Sequence, residues 1–322
     1  MAHLVEQMAY VGAQPWHGLG NLLAPKQPLE VWAKQAGMDW QIKETPVQFM
    51  TDIPEYMGGL HRFEEQKVLY RSDNKKALSV VSKRYQVVQP QEVLEFYRDL
   101  TEVAGYQLET AGVLKGGKKF WALAKTGQAT ALKGSDLVYG YLLLATSCDG
   151  TLATTATPTT IRVVCNNTLS IAVNGASQAI KVPHSTKFDA QAVKQQLGIA
   201  VSQWDTFMYQ MRTLSERKVK SHEATNYFLR VLCDVPAANG EPVVLNNERA
   251  LKKVQSLYEG QGHGADLESA KGTAWGLLNA VTEYVDHEKR ARSTDHRMDS
   301  AWFGQGANLK KKALDAAVQL AA

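Results

Sequence analysis

Glycine-containing turns limit the fold of this 322-residue chain more than any other feature of its sequence. Gly116-Gly117 and Asp149-Gly150 each separate two runs of β-branched, aromatic and aliphatic residues. That pattern is typical of β-hairpins, because glycine adopts the positive φ that tight hairpin turns require. A third hairpin is predicted around Asp73-Asn74-Lys75. Consecutive hairpins indicate an antiparallel sheet in the middle of the chain.

The chain from residue 189 onward has a different periodicity. From Asp189, a predicted helix N-cap, apolar residues recur every three or four positions, as in amphipathic helices. We therefore predict an α+β fold with a central antiparallel β-sheet, hairpins and packed helices, followed by a helical C-terminal region. The predicted segments are an irregular N-terminal segment at 1–60, an α+β core domain at 61–188 and a helical C-terminal domain at 189–322. Within the core domain, residues 160–173 are predicted to form a helix.

Composition excludes several classes of protein. With 44% hydrophobic and 21% charged residues, the chain is neither disordered nor fibrous. Its cysteines, Cys148, Cys165 and Cys233, form no C-x-x-C pair and fit a reducing compartment. The N-terminus lacks the pattern of a signal peptide, and no run approaches the 18 apolar residues of a membrane helix. We therefore expect a cytoplasmic protein with no membrane association.

No catalytic motif is evident. The sequence contains no P-loop, no dinucleotide-binding G-x-G-x-x-G after a strand, no H-E-x-x-H and no G-x-S-x-G. The glycine-rich segment 260–264 precedes Asp266, which would repel an anion, and is interpreted as a connector. We predict no cofactor, no metal and no catalytic residue. One alternative remains open, in which His287, Asp295 and His296 bind a metal in a nuclease or hydrolase.

Positive charge is concentrated in the sheet region, although the whole chain has a net charge of only +4. Residues 111–188 contain eight Lys or Arg and two acids, and residues 61–84 contain seven Lys or Arg and three acids. Aromatic residues lie in the same segments, as in Lys118-Lys119-Phe120-Trp121. Cations that neutralise phosphates, combined with exposed rings that stack on bases, are typical of single-strand binding surfaces.

These residues predict a nucleic-acid site. The expected contacts with the phosphate backbone are Lys83, Arg84, Lys118, Lys119 and Arg162, and the expected stacking residues are Tyr85 and Trp121. One alternative and one constraint apply to this prediction. The lysines are equally consistent with protection of an edge strand from aggregation. The alternation of side chains along a strand also requires one of Phe120 and Trp121 to point into the core.

Several motifs in this sequence resemble the phage/plasmid-like protein family of bacterial mobile elements, a family of unknown function. The resemblance spans nearly the whole chain and rests on Pro15-Trp16-His17-Gly18-Leu19-Gly20, Ser82-Lys83-Arg84-Tyr85-Gln86-Val87-Val88-Gln89-Pro90, Cys148-Asp149-Gly150, Arg162-Val163-Val164-Cys165-Asn166-Asn167-Thr168-Leu169, the segment from Trp275 to His287, and Trp302-Phe303-Gly304-Gln305-Gly306-Ala307. It implies a bacterial, phage or plasmid origin and a location in the cytoplasm of the bacterial host.

The order of hairpins and helix in the middle of the chain is also similar to that of phage single-strand annealing proteins of the RecT and Redβ kind. This resemblance implies an ATP-independent protein that binds and anneals single-stranded DNA for homologous recombination, as an oligomeric ring or filament. It supplies no catalytic residue. Besides the metal-dependent enzyme, an alternative is a mobile-element protein that binds and inhibits a host defence protein.

Overall fold

The computed structural model describes residues 5–12, 20–51, 59–103, 105–162, 164, 167–173, 176–201, 204–233 and 247–322. Residues 15–19 of the N-terminal motif, together with Cys165 and Asn166, lie outside the described residues. The strands are β1 Val5–Val11, β2 Asn21–Leu23, β3 Ile42–Met50, β4 Leu60–Arg71, β5 Ala77–Ser82, β6 Gln107–Leu114, β7 Lys119–Ala131, β8 Leu137–Ser147, β9 Thr154–Arg162, β10 Asn167–Ser170, β11 Ala172–Val173, β12 Ala176–Ser177 and β13 Ile180–Val182.

Most of the helical structure follows these strands. The helices are α1 Leu29–Gln35, α2 Pro90–Glu95, α3 Arg98–Val103, α4 Ala190–Val201, α5 Trp204–Glu216, α6 Ser221–Leu232, α7 Glu248–Ser256, α8 Ala274–Glu283, α9 Thr294–Phe303 and α10 Gln305–Ala321. Single π-helical turns, Leu257–Gln261 and Tyr284–Glu288, extend α7 and α8. None of the helices in the described parts of the chain combines the length and the apolar character needed to span a bilayer.

The sheets confirm the predicted α+β class. The large sheet has the order β10-β9-β8-β7-β6-β1-β2, with β13 alongside β9, and the smaller sheet has the order β3-β4-β5. All three predicted hairpins form, since β4 pairs with β5, β6 with β7, and β8 lies beside β9. In the β6–β7 turn, Gly116 and Gly117 have φ of 67° and 97°, the left-handed conformation that glycine allows.

The chain divides into two compact units, and each is built from separated segments. The first unit comprises Met1–Thr126, Leu142–Thr157 and Ile180–Leu197, and the second comprises Gly127–Tyr141, Pro158–Ala179 and Gly198–Ala322. The predicted segments 1–60, 61–188 and 189–322 follow the chain, whereas these units do not.

Each unit has its own apolar core. In the first, Tyr97 is fully buried, and its hydroxyl lies 3.0 Å and 2.9 Å from the carbonyl oxygens of Ala122 and Leu142 and accepts a hydrogen bond from the Leu144 N–H. Burial raises the pKa of this phenol, so it stays protonated and can donate. The second core lies among the helices and is formed by residues including Phe207, Met211, Phe228, Val254, Leu277, Val281 and Ala313.

Two local predictions are wrong. The described residues of 160–173 belong to the end of β9, to β10 and β11 or to their connections, and they form no helix, because β-branched Thr159, Thr160 and Ile161 favour a strand. The hydroxyls of Thr159 and Thr160 donate to the Leu169 carbonyl on β10, which adds to the pairing of these strands. The N-terminal segment also contains more regular structure than predicted, since β1 pairs with β6 and β3 with β4.

Candidate nucleic-acid interface

Exposed cations lie at both ends of the edge strand β5. Lys75 and Lys76 precede the strand in the β4–β5 turn, and Lys83 and Arg84 follow it directly; all four side chains are exposed. At about 3.3 Å per residue, Lys76 and Lys83 are separated by roughly 23 Å along the strand. Glu64 approaches Lys83 at 3.8 Å, but both side chains are more than 70% exposed, and such a pair contributes little.

The β4–β5 turn has a fixed conformation. Arg71 is buried against Trp40, with its guanidinium 4.1 Å from the ring centroid, and it donates two hydrogen bonds to Asp73 at 3.0 Å and 2.7 Å. These bonds hold the pKa of Asp73 below its ordinary value. Since Asp73 is the acid of this turn and is already paired with Arg71, its charge is largely compensated where Lys75 and Lys76 project.

The β6–β7 turn adds a further cation to the same surface. The Lys76 ammonium lies 3.4 Å from the position that a Cβ on Gly116 would occupy. A Cβ on Gly117 would lie only 3.1 Å from Trp40 and 3.2 Å from Leu78, so glycine at this position allows the β6–β7 turn to pack against Trp40 and β5. Lys118, half-buried, follows directly. We call Lys75, Lys76, Lys83, Arg84 and Lys118 the basic edge.

Cys148 lies beneath this surface. Ser79 of β5 bonds to its carbonyl oxygen, and its backbone N–H donates to the Lys118 carbonyl at 2.9 Å. Burial, with a smaller contribution from the charge of Asp149, raises the pKa of the thiol to about 12. The thiol is therefore protonated at neutral pH and acts as a small core residue rather than as a nucleophile.

Tyr85, a predicted stacking residue, is half-buried and already engaged. Its ring stacks on His184 with centroids 4.4 Å apart, and its hydroxyl donates to the Ser147 carbonyl at 2.8 Å. Burial raises the pKa of Tyr85 to about 12. His184 is itself held by the carbonyl oxygens of Gln86 and Leu152, each 3.0 Å from a ring nitrogen. The stacked Tyr85 and His184 rings therefore fix the segment that follows Arg84.

The other predicted contact residues on β7 lie in the interior. Lys119 is 4% exposed and Trp121 is 1% exposed, although both were expected to reach nucleic acid. Phe120 is also buried, so neither ring of this pair is presented to solvent. Residues 119–124 of β7 are buried in succession, as in a strand covered on both faces, where alternation does not select an outward side chain.

Arg162 lies in the second unit, in a closed polar network. It is 2% exposed, and its guanidinium donates to the Asp136 carboxylate through Nε at 2.7 Å and Nη2 at 2.9 Å. Remaining N–H groups face the carbonyl oxygens of His263 and Gly264 at 3.4 Å and 3.1 Å. A phosphate would have to displace these partners to reach the guanidinium. Arg162 therefore holds the glycine-rich segment 260–264 in place and is not available to bind a ligand.

Asp136, the partner of Arg162, is fully buried and has two further donors. Ser269 Oγ and Trp275 Nε1 lie 2.5 Å and 3.0 Å from its Oδ2. A second buried pair lies in the same unit, where Asp286 accepts from Lys310 Nζ at 2.8 Å and from the Thr168 N–H at 2.8 Å. Both carboxylates are satisfied by donors within the protein and fix the packing of strands against α8 and α10.

The alternative metal site was predicted at His287, Asp295 and His296. Among the described residues, no group of three or more His, Cys, Asp or Glu side chains is arranged to hold a metal ion. His296 Nδ1 lies 2.8 Å from Ser293 Oγ, which caps α9. The side chain of Asp295 lies outside what the structure describes.

The structure thus brings Lys83, Arg84 and Lys118 to one unit as exposed or half-exposed cations, and it buries Lys119, Trp121 and Arg162. It also adds Lys75 and Lys76, which sequence reasoning counted as part of a basic segment but did not select. The available signal was two adjacent lysines within a predicted hairpin turn, where side chains project into solvent.

Comparison with known proteins identifies the family. Residues 77–302, from β5 to α9, match a protein family described as "Domain of unknown function (DUF932)". A search of curated proteins gave no match, and a search of solved structures gave none either. Because the match covers more than half of the 322 residues, the chain belongs to the DUF932 family.

Proposed function

We propose that this protein binds single-stranded DNA along the basic edge and anneals complementary strands without nucleotide hydrolysis. The observation that carries the proposal is that two neighbouring hairpin turns and the far end of β5 place five cations in one unit, over roughly 23 Å of an edge strand. We further propose that the protein acts as a homo-oligomer, a ring or filament, in homologous recombination of a phage or plasmid, as its resemblance to single-strand annealing proteins implies.

The conformation of the turns supports a role for their charge. Lys75 and Lys115 have φ of 61° and 55° and are among the four described non-glycine residues with positive φ. A side chain in this conformation costs roughly 1 kcal/mol, which glycine would avoid. Lys75 belongs to the basic edge, and lysine at this position is explained if its positive charge is used there. Lys115 lies in the neighbouring turn that also contains Lys118, and Lys26 has the same conformation outside both turns.

The spacing of the basic edge suits a polyanion. Its cations extend over roughly 23 Å of an edge strand, so several successive phosphates can be neutralised by separate side chains. Electrostatic contacts of this kind carry no sequence information, and they leave base edges available for pairing. Binding to such a surface requires no nucleotide hydrolysis, and the absence of a P-loop motif from the sequence is compatible with it.

The test measures binding of a fluorescent single-stranded oligonucleotide and the rate at which it pairs with its complement. If all five cations contact phosphates, log affinity should fall with log salt with a slope of about −3.5, or about 100-fold between 50 and 200 mM KCl. We expect pairing to be faster with protein than without it and independent of ATP. Absence of binding at 50 mM KCl would overturn the proposal.

A further inference from the structure

The strands β3 and β4 continue beyond β5 as a two-stranded ribbon. Gln66 of β4 pairs with Ser82, the last residue of β5, and the register between β3 and β4 then shifts after Pro46. Beyond this shift, residues 47–50 pair with residues 60–63. We call these eight residues the aromatic ribbon. It begins beside the Lys83–Arg84 end of the basic edge, because the Lys83 N–H donates to the Glu65 carbonyl at 2.9 Å.

One face of the aromatic ribbon carries rings. Phe49 lies directly opposite His61, and Val47 lies opposite Phe63. Directly paired residues and residues two apart point to the same side of a sheet, so these four side chains share a face. Phe49 is 47% exposed and Phe63 is 44% exposed, although such rings are usually buried.

The rings of this face are already aligned. Phe49 and His61 are stacked with centroids 5.5 Å apart and an angle of 27° between their planes. His61 Nε2 lies 3.3 Å from Thr51 Oγ1, which restrains the imidazole. A flat ring held in place before binding loses little conformational entropy when another ring stacks on it. The face is therefore preorganised for a planar, aromatic ligand.

We propose that this face is the base-stacking subsite of the protein, where nucleobases of a single strand held by the basic edge stack on Phe49, His61 and Phe63. The inference rests on the proposed function. Lys83 and Arg84 at the base of the ribbon supply cations for the phosphates that accompany the bases, and Lys83 offsets the neighbouring Glu64, which approaches it at 3.8 Å. Arg62 lies on the opposite face, where it pairs with Gln48. Stacking on aromatic side chains is also tolerant of sequence, as annealing requires.

The test replaces the two exposed phenylalanines and measures affinity for an oligonucleotide that contains 2-aminopurine, whose fluorescence is quenched by stacking. Phe49→Leu and Phe63→Leu keep apolar bulk and remove the ring. We expect each substitution to weaken binding about 10-fold, to reduce the quenching on binding, and to leave the salt slope unchanged. Met50→Ala and Leu60→Ala on the opposite face are the matched controls and should bind as the wild type does.

The outcomes separate this inference from the proposed function. If the wild type does not bind single strands at 50 mM KCl, the proposed function fails and the subsite fails with it. If the wild type binds and both leucine variants bind equally well with the same quenching, the subsite alone is overturned. A sedimentation measurement completes the test, since variants that bind normally but lose self-association would assign the ribbon to contact with a second copy of the chain.

Discussion

Replacing Arg162 by alanine is expected to destabilise the second unit by about 3 to 5 kcal/mol, the largest effect on stability that we predict. The substitution leaves the Asp136 carboxylate fully buried with only Ser269 and Trp275 as donors, and it frees the carbonyl oxygens of His263 and Gly264. A buried charge without its partner costs far more than the pair contributes. Hydrogen exchange measured peptide by peptide should show lost protection in β9 and α8.

Two control variants make this prediction specific. Arg98→Ala removes an arginine that is 44% exposed and pairs with Glu95 at 3.2 Å, and it should cost less than about 1 kcal/mol. Arg162→Met combined with Asp136→Leu removes both charges and should restore much of the stability that Arg162→Ala loses. If Arg162→Ala left exchange in β9 and α8 unchanged, the network would not be holding this unit together.

Removing three lysines of the basic edge is expected to have the largest effect on binding. A Lys75→Ala, Lys76→Ala and Lys118→Ala triple variant loses three of the five proposed phosphate contacts. The salt slope should then fall in magnitude by about 2, and affinity at 50 mM KCl should fall on the order of 100-fold. Fluorescence anisotropy of a labelled single strand, titrated at several KCl concentrations, measures both quantities.

The control for this variant has the same change in net charge at a different place. Lys252→Ala, Lys271→Ala and Lys311→Ala remove three exposed lysines of the second unit and should leave both affinity and salt slope near the wild-type values. Equal losses in the two triple variants would show that binding follows the net charge of the protein. The basic edge would then not be a site.

The hairpins and the start of α4 could be predicted from the sequence, because turn and capping residues determine them locally. The three hairpins formed because glycine and Asp-Asn-Lys turns separate strand-forming runs. Asp189 caps α4 as expected, since its carboxylate accepts from the backbone N–H groups of Gln191 and Ala192. Each of these depends on residues close together in the sequence.

The remaining features depend on partners far along the chain. Arg162 is buried because it binds Asp136, 26 residues earlier in the chain, and the loop that contains Gly264. The aromatic ribbon depends on a register shift after Pro46, and a proline in a strand does not specify which residues pair beyond it. Lys119 and Trp121 resemble an exposed basic and aromatic pair in sequence, and their burial follows from the covering of both faces of β7.

The most direct measurement of the central claim is photochemical cross-linking of the wild-type protein to a single strand that carries a photoreactive thymidine analogue, followed by mass spectrometry. We expect adducts on peptides that contain residues 72–84 or 115–118, where the basic edge lies, and we expect excess unlabelled single strand to abolish them. Adducts confined to peptides from α5 to α10 would contradict the account, because the single-stranded DNA would then be bound by the helices of the second unit.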